Sequence, residues 1–177
     1  LGANAARTFL GLGAQVHVLD RDQTRLREID EKFNGRATTM VSYPFNIARV
    51  ARFAEVLVGA VLVPGARAPV VVTREMVRSM KKGAVILDFS IDQGGSVATS
   101  RPTTLRDPVY TEEGIVHFCV PNVPGAVPRT ATHAFNNAIW PYIRRIADNG
   151  LEQSIKQMPS LTPGIVTKDG EIVNESL

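Results

Sequence analysis

The chain has 177 residues and a formal net charge of +3 at pH 7, and 44% of its residues are hydrophobic and 21% are charged. A core can be buried at this length, whereas a mild charge without a Lys/Arg block or an aromatic stacking platform argues against a nucleic-acid partner. No apolar run approaches the roughly 18 residues of a membrane span, so no membrane contact is expected, and the lone Cys119 excludes an internal disulfide and favours a reducing, cytoplasmic environment.

Short apolar strands alternate with helices over about the first two thirds of the chain. In chain order the pattern predicts a helix over 3–12, a strand over 14–20, a helix over 22–33, a strand over 37–41, a helix over 44–55, a strand over 56–61, a helix capped by Thr73 that runs to Met80, a strand over 84–89 and a strand over 114–120. Residues 93–114 show few regular features. Such alternation builds βαβ units, and strands that are apolar throughout are typical of a parallel sheet covered on both faces.

The character of the chain changes after Pro128. The predicted elements of this part are a long helix over 129–150 that Pro141 bends, a short helix over 151–158 and a hairpin that turns at Asp169-Gly170. We therefore predict two domains, 1–128 and 129–177.

The first twenty residues, LGANAARTFL GLGAQVHVLD, contain half of a dinucleotide-binding motif. Gly2 directly precedes a helix, as the third glycine of G-x-G-x-x-G does, and Asp20 ends the next strand at the spacing of the acid that binds the ribose hydroxyls. A carboxylate at this position favours NAD, because it repels a 2′-phosphate. The alternative is that Gly2 is only a chain terminus and Asp20 a solvated strand end.

This half-motif predicts an α/β fold with a Rossmann-type, doubly wound parallel sheet and a C-terminal helical segment that belongs to a second domain. The first strand of such a sheet lies in its middle, and the residues from Leu1 onward do not supply it. Its absence would leave two apolar strand edges unpaired. We therefore expect the first strand and the first part of the glycine-rich loop to be missing, and the chain to be a segment of a longer polypeptide.

Three stretches resemble the alanine dehydrogenase family. They are AVLVPGARAP at 60–69, SMKKGAVILDFSIDQGGSVATSRPTT at 79–104 and HFCVPNVPGAVPRT at 117–130. Their order and spacing match the family, and the resemblance covers essentially all 177 residues. The NAD-binding subunit of proton-translocating transhydrogenase shares this architecture but looks different around DQGG.

The resemblance implies reversible, NAD-dependent oxidative deamination of L-alanine to pyruvate and ammonium, usually by a homohexamer. Residues to about 128 resemble the NAD domain, and the remainder resembles the long helix and C-terminal piece of the substrate domain. The catalytic lysine and histidine of the family lie in its N-terminal domain and have no counterpart in this sequence. The segment alone is therefore expected to be inactive.

The resemblance also implies which residues meet the cofactor. These positions are Gly2, Asp20, Arg25, Ser42, Val61, Leu62, Ile91, Asp92, Val120 and Asn122. Asp92 is the implied catalytic residue, beside the nicotinamide, where it helps with proton handling or iminium charge. The paired glycines that follow it let the backbone pass close to a ligand. Pro121 stands where the family is expected to have alanine.

Simpler structural roles remain open for these residues. They are a solvated helix charge for Arg25, a helix N-cap for Ser42, core packing for Val61 and Leu62, an Asx turn for Asp92 and local turn chemistry for Asn122. His17 and His117 are expected to be packed or hydrogen-bonded and Cys119 to be core, and no metal site is predicted. Two other functions stay open: a related amino-acid dehydrogenase or transhydrogenase subunit, and a non-catalytic NAD-binding module.

Overall fold

A computed structural model describes residues 1–173. They form two compact units: one comprises 1–63 and 68–121, and the other comprises 64–67 and the residues from Asn122 onward. The division of the chain into domains 1–128 and 129–177 stays a prediction.

The strands of the first unit form two sheets. They are β1 (Val16–Asp20), β2 (Ala37–Val41), β3 (Val56–Gly59), β4 (Val85–Asp88), β5 (Val109–Glu112) and β6 (Ile115–Phe118). β1 and β2 pair in parallel, and the second sheet has the order β3-β4-β6-β5, in which only β5 runs antiparallel to its neighbour. Parallel strands joined by helices confirm the predicted α/β class. Within residues 1–173, β1 and β3 do not pair with each other.

Four helices accompany these strands: α1 (Gly2–Gly11), α2 (Gln23–Lys32), α3 (Pro44–Ala51) and α4 (Arg74–Arg78). Two of them begin at side chains that cap their free amides. The Asp22 carboxylate accepts a hydrogen bond from the Thr24 N–H at 2.8 Å, and the Thr73 hydroxyl accepts one from the Met76 N–H at 3.3 Å. The N-cap predicted at Thr73 is therefore confirmed.

Each sheet has its own apolar core. Ala6, Phe33 and Ala37 are buried where α1 and α2 meet the β1–β2 sheet. In the other core Val77 of α4 and Ile86 of β4 have no exposed surface. Burying such a side chain fully stabilises a fold by about 1.5–3 kcal/mol. These cores hold the strands, and therefore their carboxyl ends, in place.

One strand was missed and two predicted elements end early, each for an identifiable reason. Strand β5 lies in the region 93–114 that was predicted to be irregular; it is a four-residue edge strand with two exposed positions, so its sequence lacks a buried apolar run. β3 ends at Gly59 and not at 61, because the backbone of Val61 bonds to a side chain instead of a strand. α3 ends at Ala51 and not at 55, because the Glu55 carbonyl accepts the Val85 N–H at 2.9 Å and so joins the sheet.

The second unit contains α5 (Pro128–Asn149), α6 (Leu151–Gln157), β7 (Thr167–Lys168) and β8 (Glu171–Ile172). The helix α5 continues through Pro141. β7 and β8 pair antiparallel around Asp169 and Gly170, whose φ angles of 52° and 86° are those of a tight hairpin turn, so the predicted hairpin is confirmed. None of the helices in residues 1–173 combines the length and apolarity needed to cross a membrane.

Candidate functional site

Asp20 lies at the carboxyl end of β1, the edge at which open α/β sheets bind ligands. Its backbone carbonyl accepts the Ser42 N–H at 3.0 Å, so the ends of β1 and β2 are held together. Its carboxylate Oδ1 accepts the Asp22 N–H at 2.9 Å, which forms an Asx turn that leads into α2. The side chain is half-buried. Two of the predicted cofactor residues, Asp20 and Ser42, therefore lie side by side.

The structure excludes the helix N-cap role for Ser42 and agrees with a solvated helix charge for Arg25. Ser42 is not the N-cap of α3, because that position is Tyr43 and no side chain makes a capping bond there. Ser42 belongs instead to the turn between β2 and α3, where its amide completes the pairing with β1. The Arg25 side chain is 70% exposed and lies 3.8 Å from the Asp22 carboxylate, as a solvated helix charge would. A contact of Arg25 with adenosine stays a prediction.

Gly2 opens α1 and meets the end of β3. A Cβ built on Gly2 would lie 3.5 Å from the Cβ of Ala60, the residue that follows β3. The first-turn amides of a helix have no intrahelical acceptors and carry partial positive charge, and α1 has no acidic residue in that turn. The helix α1 also contacts β1, the strand that ends at Asp20.

The loops that follow β3 and β4 are bonded to each other. The Val61 N–H donates to the Ser90 Oγ at 2.8 Å, and the Ser90 hydroxyl donates back to the Val61 carbonyl at 2.9 Å. Val61 is half-buried, whereas Leu62 is 65% exposed and is therefore not core, contrary to its simpler role. Both residues lie beyond the end of β3. Val61 is thus brought directly beside the segment that carries Ile91 and Asp92.

That segment is a single 3-10 turn, Ile91–Gln93, closed by two glycines. Gly94 and Gly95 have φ angles of 96° and 83°, which L side chains rarely adopt. Ile91 is buried and Asp92 is exposed, so the turn presents its carboxylate outward. The Gln93 carbonyl accepts the Ala68 N–H at 2.8 Å and ties the turn to the other loop a second time.

Asp88 lies under this turn and was not predicted as a functional residue. It is 1% exposed. Its carboxylate accepts the Ser90 N–H at 3.0 Å, the Ser96 N–H at 2.8 Å, the Ser96 hydroxyl at 3.0 Å and the Val97 N–H at 3.2 Å. The D-x-S spacing of Asp88 and Ser90 is the signal that could have revealed it, because it is the spacing of an Asx turn.

Comparison with known proteins identifies the family. Residues 1–175 match the family model for the C-terminal domain of alanine dehydrogenase/PNT. The chain belongs to this family. It is 46% identical over 175 residues to alanine dehydrogenase 1 of Staphylococcus aureus strain Mu50, covering 98% of this chain and 47% of that protein. It is 45% identical over 177 residues to alanine dehydrogenase of Staphylococcus saprophyticus, covering 99% of this chain and 48% of that protein.

Solved structures show the same relationship. The chain matches an L-alanine dehydrogenase with a TM-score of 0.84 and 40% identity, over 97% of this chain and 47% of that one. A transhydrogenase from Sinorhizobium meliloti matches with a TM-score of 0.65 and 22% identity, over 99% and 47% of the two chains, and so shares the fold. The chain spans about half the length of the curated alanine dehydrogenases it matches.

The remaining predicted cofactor residues follow β6 along the chain. Val120 is 3% exposed and belongs to the core. Asn122 belongs to the second unit and begins a 3-10 turn there. Its φ is 49°, and its carbonyl accepts the Gly125 N–H at 2.8 Å. The local turn role of Asn122 is thus observed, and a contact of Val120 or Asn122 with nicotinamide stays a prediction.

His117 and Cys119 of the same strand region are buried, as predicted. His117 Nδ1 lies 2.9 Å from the Ile115 carbonyl and must donate to it, so Nε2 is the acceptor for the Thr99 hydroxyl at 2.7 Å. Burial is the main reason why the pKa of His117 is lower than the ordinary value of a histidine.

His17 packs edge-on against Phe53. Within residues 1–173, no three His, Cys, Asp or Glu side chains are grouped to hold a metal ion.

Proposed function

We propose that this chain supplies the NAD site of an alanine dehydrogenase that converts L-alanine to pyruvate and ammonium and also runs in reverse. One observation carries the proposal. The exposed Asp92 carboxylate projects from a two-glycine turn that follows β4, and Ser90, the residue before this turn, is hydrogen-bonded to Val61 in the loop after β3. Identity of 46% to an alanine dehydrogenase over nearly the whole chain supports the same substrate.

The edge of the sheets fits a dinucleotide. The start of α1 offers free amides to a pyrophosphate, and the Asp20 carboxylate can accept hydrogen bonds from the ribose hydroxyls while repelling a 2′-phosphate. At the other end, Gly94 and Gly95 lack the Cβ atoms that would keep a flat ring away from the backbone. These groups suit NAD better than its phosphorylated form.

Residues of this chain would orient the reactants and handle charge. NAD supplies the hydride acceptor for the hydrogen on the α-carbon of alanine. Asp92 stands exposed at the nicotinamide end and, as a carboxylate, stabilises the positive charge that develops on the substrate nitrogen. Val61, which is bonded to Ser90, and Ile91, which precedes Asp92, would limit water at the reacting carbon.

The test uses the complete polypeptide that contains this chain. NAD reduction is followed at its absorbance band with L-alanine as substrate, and NAD affinity is measured by calorimetry. Asp92→Asn is expected to lower kcat by about 10²–10⁴-fold, the range of a positioned charged group, with NAD affinity changed only a few-fold. Asp30→Asn, on the exposed face of α2, is the matched control. NAD binding without alanine oxidation by the unaltered protein would favour the non-catalytic module instead.

The cytoplasmic location and hexameric assembly implied by the resemblance are part of the same proposal. Several large apolar side chains of α5 are exposed in this chain and are compatible with packing on the rest of the substrate domain or on another subunit; they are Phe135, Trp140, Tyr142 and Ile143. Sedimentation of the complete polypeptide tests the assembly, and a monomer at micromolar concentration would contradict it.

A further inference from the structure

We infer that Asp88 is a positioning residue that sets both loops on the nicotinamide side of the proposed site. The inference rests on the proposed function, because it assigns a purpose to the geometry around Asp92. Asp88 itself is 1% exposed and cannot reach a substrate. It acts through the residues that its carboxylate holds.

The carboxylate closes the loop between β4 and the segment that follows the glycines. Oδ1 takes the Ser90 N–H and the Ser96 hydroxyl, and Oδ2 takes the N–H groups of Ser96 and Val97. Ser90 precedes the Ile91–Gln93 turn and Ser96 follows Gly95. The two ends of the turn are therefore held on one side chain, and Asp92 projects from between them.

Ser90 connects the loop held by Asp88 to the second loop, which follows β3. Its amide is held by Asp88 at 3.0 Å, while its hydroxyl makes both bonds to the Val61 backbone. A shift of Ser90 would therefore displace Val61 as well as Asp92. Three predicted cofactor residues, Val61, Ile91 and Asp92, thus depend on one buried group.

The donors around Asp88 call for a side chain that accepts hydrogen bonds at both of its terminal atoms. Three backbone amides and one hydroxyl point at it, and a carboxylate is the one short side chain that can accept from all of them. An asparagine would turn its NH2 group either toward the Ser90 N–H or toward the N–H groups of Ser96 and Val97, and would lose the bonds from the amides that it faces.

The neighbouring strand leaves space for this arrangement. A Cβ built on Gly59 would lie 2.4 Å from the Ser96 Oγ and 2.7 Å from the Asp88 Oδ1. Gly59 is paired with Asp88 in the β3–β4 register. Glycine at this position thus makes room for the carboxylate and for the hydroxyl bonded to it.

The experiment is a double-mutant cycle in the complete polypeptide, with alanine-dependent NAD reduction as the readout. Asp88→Asn is expected to lower kcat at saturating NAD at least tenfold, with the KM for alanine changed less than threefold. In the Asp92→Asn background the same change should lower kcat less than threefold, because the geometry it sets no longer matters. Equal factors in both backgrounds would overturn the inference, since a merely destabilising change acts independently of Asp92.

Two further variants keep the result interpretable. Ser96→Ala removes one donor and leaves the backbone bonds, so it serves if Asp88→Asn fails to fold, and it should show the same coupling at smaller size. Asp30→Asn should change neither kcat nor the KM for alanine.

If the unaltered protein does not oxidise alanine, the proposed function fails, and hydrogen exchange then decides the inference. At least tenfold faster exchange of the Ser96 and Val97 amides in the variant supports it, and unchanged exchange overturns it.

Discussion

Tyr110 stacks on His117, with ring centroids 4.9 Å apart and an interplanar angle of 16°. The Arg101 guanidinium lies over the other face of Tyr110, 4.0 Å from its centroid. The three side chains form a column that joins the edge strand β5 to β6 and to the segment that follows the glycine turn. The Tyr110 hydroxyl adds hydrogen bonds of its own, since it accepts the Arg101 N–H at 2.9 Å, donates to the Thr99 carbonyl at 2.8 Å and lies 3.8 Å from the Cys119 Sγ.

Tyr110→Phe should destabilise the protein. The stacked ring remains, but the bonds of the hydroxyl are lost and the Thr99 carbonyl loses its donor. We expect a loss of about 1–3 kcal/mol in the free energy of unfolding, measured by urea titration. Tyr43→Phe is the matched control, because Tyr43 is 64% exposed, and it should stay within about 0.5 kcal/mol of the unaltered protein. Equal effects of the two changes would contradict the bridging role.

Stability should fall as the solution becomes acidic, because His117 is buried as the neutral form. Its pKa is lower in the folded protein than its ordinary value of 6.5, so the unfolded chain binds the extra proton first. The His117 contribution is complete above about pH 6.5 and decreases as pH falls toward the lowered folded value, by at most about 1.4 kcal/mol per pH unit. Urea midpoints between pH 5 and 7.5 measure this slope.

The matched comparison for this pH effect is between two histidines. His117→Asn should flatten the slope, whereas His133→Asn, at an exposed position of α5, should leave it unchanged. A slope that persists in the His117 variant would assign the pH effect to other groups.

Gly59→Ala should be costly although the added group is only a methyl. Its new neighbours, the Asp88 carboxylate and the Ser96 hydroxyl, are both bonded in place, and overpacking of this kind costs about 1–3 kcal/mol. Gly11→Ala should instead stabilise the protein. Gly11 lies in α1 with nothing within 4 Å of an added Cβ, and alanine favours a helix over glycine by up to about 1 kcal/mol. Thermal unfolding of both variants checks the pair.

Asp20→Asn should weaken NAD binding and relax discrimination between cofactors. The amide keeps one acceptor for a ribose hydroxyl but loses the charge that repels a 2′-phosphate. We expect a rise in Kd for NAD of about tenfold, the cost of a charge-assisted hydrogen bond, and a smaller preference for NAD over NADP. Calorimetry with both cofactors measures this, with Asp30→Asn as control. An unchanged ratio of affinities would remove Asp20 from the ribose site.

The sequence was informative where local pattern and burial agree. β2 was predicted at its observed bounds, and the hairpin at Asp169 and Gly170 was predicted from turn chemistry, because both are set by neighbouring residues. Strand β5 was missed, since an edge strand with exposed positions has no apolar run to mark it. It pairs with β6 through a two-residue turn at Glu113 and Gly114, whose φ angles are 54° and 77°.

The sequence indicates the candidate cofactor residues but not the residue that supports them. Asp20 ends a strand and Asp92 follows one, and a motif or a resemblance points to both. Asp88 lay inside the predicted strand 84–89, and its importance depends on donors that approach from Ser90, Ser96 and Val97 after folding. Bonds that close a loop of eight or nine residues onto one buried side chain leave little trace in local sequence pattern.

The reciprocal bonds between Ser90 and Val61 also bear on the entropy of ligand binding. Two loops that are joined in this way lose their independent motions when the protein folds, so a ligand that contacts both has less disorder left to remove. The binding surface is in this sense preorganised, and affinity can be gained without further contacts. A change that frees one loop, such as Ser90→Ala, would make the ligand order it at the moment of binding, and the loss would appear in the entropy of association.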